Sequence, residues 1–229
     1  MSKPVVRAQD LLLGYGGAPV SAPVSFTLAP GRAIALIGEN GSGKSTVLRA
    51  VLGLLEPSGG SLSLWSAPVD ERSVAFRTRV AGVLDDDAWF PALSVSEHLY
   101  LTARGHGVTG AQGVVDELLA EFGLTENARS LPVTLSSGQR RRLLLAAGFV
   151  RPRELLVLDE PEQRLDRRMR TRLAERLIAE KRSGGAVLLA THDADLVRTV
   201  ADRAVFIADD TCRLLTAEQG AEAIARTAS

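Results

Sequence analysis

The chain has 229 residues, enough for one domain or one domain carrying an insertion. At 45% hydrophobic and 24% charged, with Lys+Arg 27 against Asp+Glu 27, it is neither disordered nor fibrous, and its neutrality argues against nucleic acid as the main partner. One cysteine, Cys212, excludes an intrachain disulfide; no apolar run approaches the ~18–20 residues of a membrane span, and no signal-peptide core is present, so the chain is expected to be cytoplasmic and to reach a membrane only through another protein.

Val5–Leu13 and Val24–Leu28 read as strands parted by a turn at Gly14–Pro19. Ala33–Ile37 is a compact apolar strand that runs into Gly38, Glu39, Asn40, Gly41, Ser42, Gly43, Lys44, Ser45 and Thr46. A helix is predicted over Lys44–Leu55, stopped by Pro57 and a Gly59-Gly60 turn. Glycines with a Lys-Ser-Thr end, between a strand and a helix, make a loop whose amides wrap phosphates. Lys44, one of only three lysines, then reaches the β- and γ-phosphates, and the Ser45 hydroxyl suits Mg²⁺, a hard cation that prefers oxygen. ATP or GTP is the implied ligand.

Further strands are expected near Ser61–Trp65 and Val80–Leu84, after which the period becomes helical from Leu93 to Val150. Ser94 with Glu97 spaces a capping box, Gly105 ends that helix, and Val114–Phe122 with Gly123 forms the next. Leu135-Ser136-Ser137-Gly138-Gln139-Arg140 opens a third helix, with Ser136 and Gln139 at capping-box spacing. Read alone, it is a capped helix whose free N–H groups could also receive an anion.

The alternation of strands and helices then resumes. Leu155–Leu158 is a buried-type strand ending in Asp159 and Glu160, suited to the Mg²⁺ shell and to activating a water respectively. Leu165, Met169, Leu173, Leu177 and Ile178 mark one face of an Arg-rich helix. Ala186–Ala190 and Ala204–Ile207 are strands, Asp193–Val200 and Glu218–Thr227 helices. The pattern predicts an α/β fold with a mostly parallel sheet covered on both faces.

Phosphate loop, Ser136–Gln139 and the acidic pair, in that order, resemble the ATP-binding-cassette (ABC) family over essentially the whole chain. The resemblance implies a single ABC domain over residues 1–229. Its fold would be a P-loop NTPase (RecA-like), with a mostly parallel core, an antiparallel β sub-domain and an α-helical sub-domain inserted at approximately 92–150. It implies a homodimer or heterodimer, each ATP held between one subunit's phosphate loop and the other's signature at Ser136, Ser137, Gly138 and Gln139. By the same resemblance Tyr15 stacks on adenine, Glu160 and His192 are catalytic, and Asp166 ends a loop that crosses the interface. Two departures stand out. A family glutamine that senses Mg²⁺ and γ-phosphate is replaced by Asp85 or Asp86, which can accept Mg²⁺ or water but donates no hydrogen bond. Glu162-Gln163-Arg164 stands where small residues are common, and Arg164 either contacts the opposite subunit or points to solvent.

Ala92–Leu99, Ala103-Arg104 and Phe122-Gly123-Leu124 are similar to bacterial ABC-2-type exporter ATPases, implying a separate multi-span membrane permease as partner. Trp89, Phe90 and Tyr100 either help form the groove that receives it or are ordinary sub-domain core. ATP hydrolysis that powers an exporter leads; a regulatory or structural ATPase not coupled to transport, and a nucleotide-binding module with little turnover, are the alternatives.

Overall fold

Burial alternates along Val6–Leu12 (β1), with Val6, Ala8 and Leu11 inside and Arg7 and Gln9 outside, until an irregularity at Asp10 shifts the register. The computed structural model describes residues 3–15, 18–19, 21–84 and 88–227. Gly14–Tyr15 (β2) pairs with Ala18–Pro19 (β3), and Val24–Leu28 (β4) again alternates in burial. Ala33–Ile37 (β5) is buried at every position, as a strand covered on both faces must be. Lys44–Val51 (α1) follows and ends earlier than predicted. The amides of Leu52, Gly53 and Leu54 close back on Leu48, Ala50 and Arg49, and Gly53 takes φ 73°, so the stop is Gly53 rather than Pro57. Gly59 and Gly60 make no isolated turn; they open Gly59–Leu64 (β6), which pairs with β1 from Leu12 onward.

Ala67–Pro68 (β7) is followed by a helix the sequence hides, Val74–Arg79 (α2), which buries no residue and so has no apolar face to read. After Val80–Val83 (β8) come three longer helices, Val95–Gly105 (α3), Ala111–Glu121 (α4) and Ser137–Val150 (α5). Capping boxes open α3 at Ser94/Glu97 and α5 at Ser136/Gln139, and each such cap contributes about 1 kcal/mol. The chain continues as Leu155–Asp159 (β9), Arg167–Arg182 (α6), Ala186–Ala190 (β10) and Ala194–Val200 (α7). It closes with Arg203–Ile207 (β11), Cys212–Thr216 (β12) and Ala217–Thr227 (α8). The half-exposed β12 carries no regular burial to read in the sequence; it lies antiparallel along β11 at the sheet edge.

The main sheet runs β12-β11-β5-β10-β9-β8, parallel except for β12. Strand parity divides the core in two. Ala33, Ala35, Ile37, Leu156, Leu158, Val187 and Leu189 pack against the helices α3 to α8. Ile34, Leu36, Leu155, Val157 and Leu188 pack against α1 and the antiparallel sheet β4-β1-β6-β7. Each fully buried Leu, Ile or Val contributes about 1.5–3 kcal/mol, so this two-sided burial dominates the stability. Register brings the carboxyl ends of adjacent strands together: Ala190 pairs with both Leu36 and Asp159, and Leu158 with Val83. In an open parallel sheet that edge is where ligands bind.

Candidate active site

The loop leaving β5 depends on Gly38. It takes φ 147°, and a Cβ there would lie 2.1 Å from the Ile207 carbonyl oxygen. The loop ends at Gly43, which precedes α1 in a left-handed conformation and offers no side-chain cap, whereas α3, α5, α6 and α7 are each capped by a side chain. The first amides of α1 therefore lack an acceptor from a capping side chain, the arrangement that suits a phosphate. Lys44 is buried in the loop, its Nζ donating to the carbonyls of Gly38 (2.9 Å) and Glu39 (2.8 Å). Ser42 Oγ is buried without a hydrogen-bond partner, Thr46 is buried, and Glu39, Asn40, Gly41 and Ser45 face outward.

Asp159 is buried at the tip of β9, and Glu160 follows in the left-handed region at φ 44°. That backbone is costly for a non-glycine residue, and surrounding bonds hold it. The Glu160 N–H donates to the Ala190 carbonyl (2.9 Å), and the Glu160 carbonyl accepts from Arg141 Nη2 (2.8 Å). Arg141, fully buried in α5, also donates to the Asp159 carbonyl and to that of Leu84 (3.3 Å). One guanidinium thus joins α5, the acidic pair and the end of β8.

His192 leaves β10 with Nε2 3.5 Å from Glu160 Oε1. Burial first, and then the Lys44 charge, push its imidazole below the ordinary value against the pull of Glu160 and Asp159. Burial likewise lowers the Lys44 ammonium, while Glu160 and Asp159 pull it back up. The mutual effects place Lys44, Asp159, Glu160 and His192 in one electrostatic site.

The remaining expected residues lie on other elements. Ser136 and Ser137 are exposed at the start of α5. Ser136 Oγ accepts from the Gln139 N–H (3.2 Å), Gln139 Oε1 accepts from the Ser136 N–H (2.8 Å), and Gln139 Nε2 donates to Asn127 (3.0 Å). A Cβ on Gly138 would lie 2.8 Å from the Arg164 carbonyl, so that contact admits only glycine. Asp166 caps α6, its Oδ1 accepting from the Met169 N–H (2.8 Å). None of residues 135–140 lines the concavity of about 500 Å³ around Asn40, Glu160 and His192, or that of about 280 Å³ beside Gly38 and Asn40. The backbone of Tyr15 lies in β2, while its side chain, and Asp85 and Asp86, lie outside the described residues.

The oxygens at hand suit Mg²⁺. Asp159 and Ser45 offer only oxygen, and among the described residues no group of three or more His, Cys, Asp or Glu forms a protein-only metal cage. Mg²⁺ commonly takes one or two protein oxygens and completes its shell from substrate phosphates and water, so the residues fit it.

A second, more apolar groove of about 500 Å³ opens between α1, α2, β8, α3 and α5, lined by Leu54, Phe76, Leu84, Phe90, His98 and Arg151 among others. Of the three aromatics considered from sequence, Phe90 lines it. Trp89 packs on the helical core, 5.8 Å from the Arg140 guanidinium, and Tyr100 is exposed. Two residues that hold the site are missed from sequence, Arg141, hidden in the run Arg140-Arg141-Arg142, and Thr191; a third, Glu162, stands out there only as a departure, its bond from the Thr191 hydroxyl (2.5 Å) unseen. An arginine three and four residues before the buried Leu144 and Leu145, and so on their face of the helix, was the available signal for Arg141.

Comparison with known proteins gives a consistent result. The ABC transporter family profile matches residues 22–163. The ABC-type transporter ATP-binding protein EcsA of Bacillus subtilis (strain 168) is 32% identical, over 82% of this chain and 77% of its own length. The cytochrome c biogenesis ATP-binding export protein CcmA of Cupriavidus pinatubonensis (strain JMP 134 / LMG 1197) is 37% identical, over 82% of this chain and 84% of its own. A solved structure of an ATP-binding subunit of an ABC transporter superposes with a TM-score of 0.85 at 29% identity, covering 93% of this chain and 90% of that one.

Proposed function

We propose, from the premise that the chain belongs to the ABC transporter family, how this ATPase subunit captures and hydrolyses ATP and drives its membrane transporter. The observation that carries the reading is the contact of Glu160 with His192, 3.5 Å apart, in the same electrostatic site as the buried Lys44. Loop amides and Lys44 bind the phosphates, the carbonyls of Gly38 and Glu39 holding the ammonium ready. Ser45 and Asp159 would hold Mg²⁺, which would supply positive charge to the phosphates. Glu160 accepts the proton of the attacking water, and His192, kept neutral, orients Glu160 and that water.

Ser136, Ser137, Gly138 and Gln139 serve a second subunit. None of them lines the concavities beside their own chain's loop, and Ser136 and Ser137 are exposed at a helix N-terminus, which supports a site completed when two subunits meet head to tail. Asp166, which caps α6, lies in the turn that would face that partner. We assign the whole chain to one ABC unit, with residues 92–150 as its helical insertion. The apolar groove with Phe90 and Arg151 supports docking of a multi-span permease, which would hold the subunit at the cytoplasmic face of the membrane. Export is favoured by the name of the cytochrome c biogenesis relative. The test is enzymatic: Glu160→Gln should retain ATP binding and lose turnover, and Lys44→Ala should weaken binding as well. Undiminished turnover in Glu160→Gln would refute the assignment.

A further inference from the structure

We propose that Glu162 is the positioning residue for His192: its buried carboxyl fixes the turn that holds the imidazole beside Glu160. The inference rests on the catalytic reading of His192 given above. Glu162 is 6% exposed, in the turn between the acidic pair and α6. Its Oε1 accepts twice, from the Thr191 hydroxyl (2.5 Å) and from the His192 N–H (3.3 Å). Thr191 Oγ1 in turn accepts from the Asp193 N–H (3.0 Å). One carboxylate oxygen therefore fixes three consecutive residues, directly or through one hydroxyl.

The other end of the strut is anchored too. Gln163 N–H donates to the Glu160 carbonyl (3.0 Å) and Leu165 N–H to that of Glu162 (3.2 Å). Asp193 Oδ1 accepts from the N–H groups of Asp195 and Leu196, and Arg170 Nη1 lies 3.4 Å from Asp193 Oδ2 while its Nε donates to the Leu165 carbonyl (3.1 Å). The turns carrying Glu160 and His192 are thus tied to each other, with Glu162 as the innermost tie. The placement is costly: Glu162 Oε2 is buried without a hydrogen-bond partner. A small residue at this position, as the family resemblance suggests, would avoid the cost and lose the tie.

Steady-state ATPase assays on the full chain test the idea through a double-mutant cycle. Glu162→Ala should lower kcat about tenfold or more while the KM for ATP stays within about twofold, since misplacing a catalytic group slows chemistry more than binding. Glu162→Gln keeps the acceptor oxygen and should recover most of the rate. In a His192→Ala background, Glu162→Ala should cost less than about twofold further, because the residue it positions is already gone. Equal losses in both backgrounds, or no recovery with Gln, would overturn the proposal. If His192→Ala alone leaves kcat unchanged, the catalytic reading of His192 falls and this inference with it. Thr191→Val, nearly isosteric, carries the same cycle if Glu162→Ala does not fold.

Discussion

His192 sits where its surroundings bias its protonation. Burial and Lys44 hold its imidazole below the ordinary value, so the neutral form is favoured in the folded protein. The rate that depends on neutral His192 is therefore lost only as pH falls through a value below the ordinary imidazole one. We expect a flat neutral region and an acid limb in the pH–rate profile, with the limb altered in His192→Ala; a rate already declining between pH 8 and 7 would contradict this. Gly38 offers a structural counterpart. Its Cβ would meet the Ile207 carbonyl at 2.1 Å, so Gly38→Ala should displace the loop and weaken ATP binding in a fluorescent-nucleotide titration. Lys44, Asp159 and Glu160 were legible because each falls at a motif position beside a readable strand or helix. Glu162 and Arg141 were not, because their partners lie far along the chain: Thr191 for one, Leu84 and Glu160 for the other.

At the scale of elements, α5 joins three parts of the site: its start presents Ser136, Gly138 packs on the Arg164 carbonyl, and Arg141 holds the acidic pair. Two substitutions separate these roles. Ser136→Ala removes an N-cap and should cost about 1 kcal/mol, lowering Tm by about 2–4 °C for a chain of this size, while reducing ATPase far more if Ser136 serves a partner's phosphate. Arg141→Met leaves the carbonyls of Asp159 and Glu160 without their donor, at about 1–3 kcal/mol each, and should show in denaturant melts as well as in kcat. Elements with strong, regular burial were legible end to end: Val24–Leu28, Ala33–Ile37 and Ala186–Ala190 match their sequence reading. Elements stabilised by neighbours were not. Helix α2 buries no residue fully, with Phe76 only half-buried against the core, and β12 is a half-exposed edge strand defined by pairing with β11.

At the level of the whole molecule, two buried cores flank the main sheet. Arg153 and Glu180, whose side chains are 8% and 10% exposed, form an ion pair at 2.5 Å between the segment after α5 and helix α6. Removing one partner leaves a buried charge, so Arg153→Ala should destabilise the chain by about 3–5 kcal/mol in thermal melts with little change in KM for ATP. We propose that the phosphate loop of one chain works with the signature of another. Mixing two inactive variants tests it directly: Lys44→Ala, which spoils the loop, and Ser136→Glu, which spoils the signature. In a head-to-tail dimer, mixed pairs regain one intact site, so an equimolar mixture should recover about a quarter of wild-type ATPase. A mixture that stays as inactive as its two components, or a Ser136→Glu chain that hydrolyses ATP normally by itself, would contradict the account.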